Sequence, residues 1–103
     1  MIVRTWHGCV PLQHADGFLR HLELTGVQHA RQTAGNLGAF IRHEVQGAFA
    51  HFFLATYWDD LNAIKAFAGE NYHRAVCYPD DEQFELISDP YVFQHTADKI
   101  IPL

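Results

Sequence analysis

The stretch Ala48-Phe-Ala-His-Phe-Phe-Leu-Ala-Thr-Tyr-Trp58 (AFAHFFLATYW) predicts a β-strand that is mainly apolar on both of its faces. Successive side chains of a strand point to opposite faces, and both alternating sets of this run are dominated by aromatic and aliphatic residues. A strand that is apolar on both sides is expected to be buried on both sides. Two different structures must therefore cover this strand.

The neighbouring strands follow from the same composition and from turn residues. Residues 39–45 form a second strand-like run, and Gln46-Gly47 predicts a tight hairpin turn because glycine adopts a positive φ easily. Residues 2–10 are rich in β-branched and aromatic side chains and predict the first strand. The last strand is expected in residues 84–87 and 91–95, broken at Asp89-Pro90, because proline has no N–H to donate to a sheet.

Two regions show helical periodicity. Over residues 13–25 an apolar stripe recurs at helical spacing, and Gly26 is expected to end that helix, followed by a polar connection over residues 27–36. Asp59 or Asp60 is expected to cap a second helix that Gly69 interrupts. A further helical segment is expected over residues 70–78.

The resulting order is β-α-β-β-α-β, which predicts an α+β, ferredoxin-like fold. In this fold a four-stranded antiparallel sheet carries two helices on one face. Residues 1–103 are expected to form one domain, because the chain is too short for two. Since two helices cover only one face of the sheet, a second copy of the chain is expected on the other face, as a homodimer.

Charge and composition exclude several kinds of partner. The formal net charge is −5 and the seven basic residues are scattered, which argues against a nucleic acid or an anionic membrane as partner. No apolar run is long enough to span a bilayer, and the N-terminus has no signal-peptide pattern. A cytoplasmic protein with a small apolar or aromatic partner is the expectation.

The eight histidines and two cysteines are the obvious candidates for chemistry. His51 lies in the most apolar strand, where a polar ring must find a partner or line a cavity; His7 and His43 share this argument more weakly. His14, His21, His29 and His95 are expected to be solvated surface residues, and Cys9 and Cys77 to be small buried apolar side chains. On a helix, His73 and Cys77 would lie on adjacent turns, with His73 at the edge of the buried stripe, which favours a partly exposed rim over a metal site. No metal is expected.

Two side chains of the first strand are predicted to reach one pocket. Arg4 and Trp6 alternate onto the same face, so that a fixed positive charge and an aromatic ring lie together. The alternative is that Trp6 belongs to the core and that Arg4 pairs with a surface carboxylate.

Six segments resemble the antibiotic biosynthesis monooxygenase-like family of small dimeric α+β barrel proteins. They are Arg4-Thr-Trp-His-Gly8, Thr25-Gly26, Ala34-Gly-Asn-Leu-Gly38, Trp58-Asp59, Ala63-Ile-Lys-Ala-Phe-Ala-Gly-Glu70 and Ala75-Val-Cys-Tyr-Pro79. The resemblance implies a pocket between sheet and helices and, in some members, cofactor-free oxygenation of electron-rich aromatics such as anthrones or quinols. That chemistry needs a dry aromatic pocket, a base and a group that holds an oxyanion.

On this resemblance the roles are assigned as follows. His51 or His73 is the predicted base, and Arg4 is predicted to stabilise the oxyanion. No cofactor is expected. Trp6, Phe67 and Tyr72 are predicted to bind the substrate ring. The alternative is a non-enzymatic ligand-binding or structural dimer, which is the preferred hypothesis if no pocket is bordered by His51, His73 or Arg4.

A second branch of the same fold binds and degrades haem. The resemblance to it is poor, because that branch has an asparagine in strand one, a tryptophan in the second helix and a haem-ligating histidine ten residues later. This chain has no asparagine in strand one, Phe67 at the helical position and Cys77 ten residues on. His73 is the remaining candidate ligand.

Overall fold

Five strands form one antiparallel sheet within residues 1–97, the part of the chain that the computed structural model describes. The strands are β1 (Ile2–Pro11), β2 (Asn36–Gln46), β3 (Phe49–Trp58), β4 (Ile87–Ser88) and β5 (Phe93–Thr96). The sheet order is β2-β3-β1-β4, and β5 pairs with β1 beside β4. This is the predicted α+β, ferredoxin-like architecture, with its last strand in two pieces.

The division of the last strand occurs where the sequence predicts it. β4 pairs with Gly8 and Cys9, whereas β5 pairs with residues 2–5, so that both pieces lie along the same edge of β1. Asp89-Pro90 lies between the two pieces. The predicted hairpin is also confirmed, since Gln46 pairs with Phe49 and Gly47 has a φ of 61°.

The helices pack on one face of the sheet, called the inner face here. Every second residue of β3, from Ala50 to Trp58, is buried against them. One core cluster contains Phe18 and Leu22 of the first helix, which pack on Phe52 and Leu54 of β3. A second cluster contains Trp58 with Ile64 and Phe67 of the second helix. The remaining members are Val10, Ala30, Ala50 and Ala63.

The first helix is longer than predicted. It runs through α1 (Ala15–Leu22), a π-helical turn (Glu23–Val27) and α2 (Gln28–Arg31). The prediction that Gly26 ends it is wrong: this residue is buried inside the π-helical turn, where an added Cβ would lie 3.2 Å from Cδ2 of Leu54. Gly26 allows close approach of helix and sheet.

The second helix, α3 (Leu61–Ala68), has the predicted ends. The side chain of Asp60 accepts a hydrogen bond from the backbone N–H of Ala63 at 2.9 Å, and Gly69 follows the helix with a φ of 84°. Both residue types suit these positions, since aspartate caps the orphan N–H groups and glycine tolerates positive φ.

The helix predicted over residues 70–78 is absent from the described structure. This segment is a turn followed by an extended stretch whose backbone bonds to the residues before β5. Val92 N–H donates to the carbonyl of His73 at 2.8 Å, and Ala75 N–H donates to that of Pro90 at 2.9 Å. Because these groups bond across the chain, His73 and Cys77 are not on adjacent helical turns.

The other face of the sheet, called the outer face here, carries exposed apolar side chains. Phe93, Phe40 and Ile87 are 78%, 60% and 59% exposed. Register places them with His51, Phe53 and Tyr57 of β3 on this face. The predicted homodimer that would cover them stays a prediction. None of the helices in residues 1–97 has the length and apolar character that crossing a bilayer requires.

Candidate functional site

A cavity of about 450 Å³ lies between the inner face and the first helix, closed by the segment that follows α3. Small-molecule sites commonly have volumes of a few hundred cubic ångströms. The wall residues come from β1, β3, the helices, residues 76–82 and the residues around β4. They are Arg4, Trp6, Phe18, Leu22, Thr25, Gly26, Leu54, Thr56, Phe67, Val76, Cys77, Tyr78, Pro79, Asp81, Glu82, Leu86, Ser88 and Val92.

Most of this wall is apolar or aromatic, and two of its hydroxyl groups are already engaged. Trp6 Nε1 donates to Oγ of Ser88 at 2.8 Å. Trp58 Nε1 donates to Oγ1 of Thr56, also at 2.8 Å. The rings of Trp6, Phe18 and Phe67 offer flat surfaces to an aromatic ligand. The hydroxyl groups of Ser88 and Thr56 are used within the protein and not by the ligand.

Arg4 brings a buried positive charge to the wall. It is 4% exposed, and its guanidinium donates to the carbonyl of Tyr72 and, at 2.9 Å, to that of Arg74. The guanidinium carbon lies 5.7 Å from the centroid of the Phe67 ring. Burial lowers the pKa of Arg4 to about 10, partly offset by Tyr78. Arg4 is therefore still charged at neutral pH.

Tyr78 and His29 form a hydrogen-bonded pair at the cavity. The phenol oxygen of Tyr78 lies 2.8 Å from Nδ1 of His29, and the His29 ring packs 4.4 Å from the ring of Phe67. Burial, and then the nearby Asp81, raise the pKa of Tyr78 to about 12, against a lowering influence of Arg4. The phenol is therefore neutral at physiological pH and able to donate to His29.

His21 and Asp81 form a second pair that fastens the closing segment to the first helix. Nε2 of His21 lies 2.7 Å from Oδ1 of Asp81, and the two side chains are 10% and 18% exposed. The other carboxylate oxygen accepts the backbone N–H of Tyr78 at 2.9 Å. Asp81 thus positions the residue that carries the cavity phenol.

The prediction that His21 and His29 are solvated surface residues is wrong. Both are partly buried and both bond to the segment that closes the cavity. For His29 the prediction fails because it ends the first helix at Gly26, whereas the helix continues to Arg31 and brings this residue to the cavity. For His21 it fails because the segment after α3 supplies Asp81 as a partner. Tyr78, predicted as the end of the helical segment over residues 70–78, is the other residue that sequence reasoning missed. Cys77 is exposed and lies in the cavity wall, not in the core.

The two histidines predicted as bases do not line the cavity. His51 pairs with Cys9 in the sheet register and lies on the outer face, with Nδ1 2.9 Å from Nε2 of His7. His7 in turn lies 2.9 Å from Asp89. His73 is exposed beside the ring of Tyr72, because it lies in a turn and not in a helix. Neither histidine therefore shares the cavity that Arg4 borders.

The other predicted site residues divide. Arg4, Trp6 and Phe67 line the cavity. Tyr72 is outside the wall: its carbonyl accepts from Arg4, and its ring packs against the second core cluster, 5.8 Å from the ammonium of Lys65. Its contribution is to hold Arg4 in place. Within residues 1–97, no group of three or more histidine, cysteine, aspartate or glutamate side chains is arranged to hold a metal ion.

Solved structures with a similar fold include a protein of Deinococcus radiodurans and one of Mycobacterium tuberculosis. A proposed antibiotic biosynthesis monooxygenase of Deinococcus radiodurans is 21% identical, with a TM-score of 0.64, and the match covers 100% of this chain and 98% of that one. Rv0793 of Mycobacterium tuberculosis is 18% identical, with a TM-score of 0.55, and the match covers 99% of this chain and 100% of that one. Neither protein-family models nor curated proteins yield a match. The predicted resemblance is confirmed at the level of the fold.

Proposed function

We propose that the chain is a cofactor-independent monooxygenase-like protein that oxidises a small aromatic or quinol-type substrate. The observation that carries this proposal is a cavity with aromatic walls that combines one buried guanidinium with a tyrosine–histidine pair. The name given to the Deinococcus protein of the same fold is consistent with it. Fold alone does not determine activity, and the support for this proposal is the chemistry of the site.

Ring binding is assigned to Trp6 and Phe67, with Phe18 as a third wall. Trp6 is fixed by its hydrogen bond to Ser88, and Phe67 is fixed between His29 and Trp58, whose ring centroids lie 4.4 and 5.1 Å away. Rigid aromatic walls bind a flat substrate without much loss of side-chain entropy and exclude water from it.

The proton acceptor is assigned to Tyr78 and His29 together, in place of His51 or His73. A substrate hydroxyl donates its proton to the phenol oxygen, while the phenol proton moves to Nδ1 of His29. The phenol need not ionise, because it passes one proton on as it receives another, which agrees with a pKa of about 12. The products are an imidazolium and a substrate oxyanion.

Arg4 is assigned the stabilisation of that oxyanion. Its positive charge acts in an apolar wall, where an electrostatic interaction is stronger than in water. The carbonyls of Tyr72 and Arg74 fix its orientation before the substrate arrives.

Dioxygen is the oxidant, and its electrons come from the substrate alone. In an anthrone, the CH₂ group becomes a carbonyl: two C–H bonds break and one C=O bond forms with one atom of dioxygen. The second oxygen atom leaves as water with both hydrogens. The substrate loses four electrons and dioxygen gains four, so the proposed reaction needs no redox cofactor.

The proposal includes a homodimer in which the outer faces of two copies pack together. Its support is the row of exposed Phe40, Ile87 and Phe93, which water would otherwise hydrate. Burying the outer face would also place the His7–His51 pair in the interface.

A non-enzymatic ligand-binding module is the second candidate. The observation that favours it is that the Ser88 and Thr56 hydroxyls of the wall are already hydrogen-bonded within the protein. These groups are therefore engaged in the structure and not free to take part in a reaction. The enzymatic hypothesis is preferred, because Arg4, the residue assigned to stabilise the oxyanion, borders the cavity.

An oxygen electrode separates the two candidates. Dialysed protein is mixed with a panel of quinols and anthrones in buffer that contains a metal chelator. Uptake above the buffer rate, abolished by heat denaturation of the protein, supports the monooxygenase. Ligand binding without any uptake supports the binding module.

A further inference from the structure

Arg4 is a buried cation that has no acidic partner in the described structure. The ion pairs found within residues 1–97 all involve histidines, namely His7, His14 and His21. The guanidinium of Arg4 bonds instead to two backbone carbonyls, which carry no net charge. Buried charges in proteins are normally paired, because burial without a counter-charge is costly.

The acidic residues of the same wall do not supply this counter-charge. Both carboxylate oxygens of Asp81 are occupied, one by His21 and one by the N–H of Tyr78. Glu82 is exposed and, like Asp81, forms no ion pair with Arg4 in the part of the chain that the structure describes. Neither Asp81 nor Glu82 therefore neutralises Arg4, and the position beside its guanidinium can accept a negatively charged group of a ligand.

The guanidinium has donors to spare for such a charge. It carries five N–H groups in one plane, and the two carbonyls use two of them. These two bonds fix the plane, and Arg4 contributes to the cavity wall beside Phe67. A fixed guanidinium with free donors suits an oxyanion, which it binds by charge-assisted hydrogen bonds.

We infer that the cavity selects monoanionic aromatic ligands, whose oxyanion binds Arg4 while their ring lies against Trp6 and Phe67. The ligand class comprises arenecarboxylates and acidic phenols or enols, which share one negatively charged oxygen group on a flat apolar body. This inference deepens the proposed function and rests on it for the statement that the ligand is a substrate. The binding preference itself is independent of turnover.

Matched ligand pairs test the inference by isothermal titration calorimetry. Benzoate is compared with benzamide, and 4-nitrophenolate with 4-nitroanisole, so that each pair differs mainly in charge. We expect each anion to bind about 10-fold to 100-fold more tightly than its neutral partner. Preference in the first pair alone assigns the site to carboxylates, and preference in the second alone assigns it to phenolates.

Variants then locate the preference. Arg4→Gln should remove it, Arg4→Lys should retain a smaller preference, and Arg20→Gln, at an exposed position of α1, should retain all of it. If Arg4→Gln does not fold, Arg4→Lys tests the inference in its place. This variant keeps the charge but loses the planar fork, so its preference for the anion should be smaller than that of wild type. Circular dichroism reports folding.

Three results would overturn the inference: equal or better binding of the neutral members, absence of binding in both pairs, or an anion preference that survives in folded Arg4→Gln. The proposed function fails separately. Anion binding without oxygen uptake would leave this site in place and remove the monooxygenase, whereas uptake with neutral substrates only would do the reverse.

Discussion

The phenol oxygen of Tyr78 lies 2.8 Å from Nδ1 of His29, and this contact joins the segment after α3 to α2 across 49 residues of sequence. It connects a cavity-lining hydroxyl to an imidazole that is itself partly exposed. The pair provides a route by which a proton can leave the cavity while the phenol of Tyr78 stays neutral.

Removing the phenol hydroxyl should abolish most of the proposed activity. We expect Tyr78→Phe and His29→Gln each to lower the rate of oxygen uptake by about 10²-fold to 10⁴-fold, the usual contribution of a general base. His73→Gln and His51→Gln should have little effect, since neither histidine lines the cavity. Oxygen-electrode rates at saturating substrate provide the measurement, and a large loss in His73→Gln with none in Tyr78→Phe would contradict the assignment.

The stability contributed by Tyr78 should disappear at high pH. Its folded pKa of about 12 lies above the ordinary value of 10.0, so the folded state holds the phenol proton more tightly than the unfolded state does. Stability from this group is therefore fully present below pH 10 and is lost as the pH rises toward 12. Tyr78 is partly exposed, so we expect a loss on the order of 1 kcal/mol.

Arg4 should show the opposite slope over the same range. Its folded pKa of about 10 is below the ordinary 12.5, so the unfolded state holds more protons and the stability rises with pH. Wild type and Tyr78→Phe both contain Arg4, so a comparison of the two reports on Tyr78. Their stabilities in urea titrations should diverge, with the variant gaining stability relative to wild type between pH 10 and pH 12. Parallel pH profiles would show that the phenol is not held neutral by the fold.

A methyl group at Gly26 should destabilise the fold despite the higher helix propensity of alanine. The added Cβ would lie 3.2 Å from Leu54 and 3.4 Å from Leu22. We expect Gly26→Ala to lower the free energy of unfolding by about 1 to 3 kcal/mol, as overpacking does. Urea denaturation measures this, and the double variant with Leu54→Val should recover part of the loss. A stabilised Gly26→Ala would mean that the helix does not approach the sheet closely.

Breaking the His21–Asp81 pair should loosen the segment that closes the cavity. Both side chains are largely buried, so we expect Asp81→Asn to lower the free energy of unfolding by about 1 to 3 kcal/mol and to weaken ligand binding. A double-mutant cycle with His21→Asn isolates the pair. His14→Asn, which removes the more exposed contact with Glu85, provides the control and should cost less than 1 kcal/mol. Equal costs for both histidines would refute the positioning role.

A charge on the outer face should prevent the proposed dimer. Phe93 is 78% exposed on that face, whereas Leu24 is 60% exposed on the π-helical turn at the other side of the sheet. We expect Phe93→Glu to sediment as a monomer, and Leu24→Glu to sediment like wild type. Sedimentation velocity at micromolar concentration measures this. A monomeric wild type of 11.8 kDa would contradict the dimer.

The topology could be predicted from periodicity and turn residues, because strands, helix starts and turns carry local signals. The hairpin at Gly47, the cap at Asp60 and the break at Asp89-Pro90 each depend on the chemistry of one or two residues. The segment over residues 70–78 could not be predicted, because its backbone groups bond to residues 90 and 92. Such non-local pairing leaves no periodic pattern in the sequence.

The candidate site could be predicted in part. The alternation of β1 predicts that Arg4 and Trp6 share a face, and both line the cavity, but the location of His29 depended on the end of the first helix. Past Gly26, the stripe of Phe18 and Leu22 continues at helical spacing to His29, a signal that the sequence does contain. Glycine is ambiguous there, since it serves a helix end and a close helix–sheet contact equally well.

Incorporation of isotopically labelled dioxygen tests the central claim most directly. Dialysed protein is incubated with an anthrone under labelled dioxygen in unlabelled water, and the product is analysed by mass spectrometry. The account predicts one labelled oxygen atom in the new carbonyl, formed without added cofactor and lost in Tyr78→Phe. A product without label, or a labelled product formed as fast by Tyr78→Phe as by wild type, would contradict it.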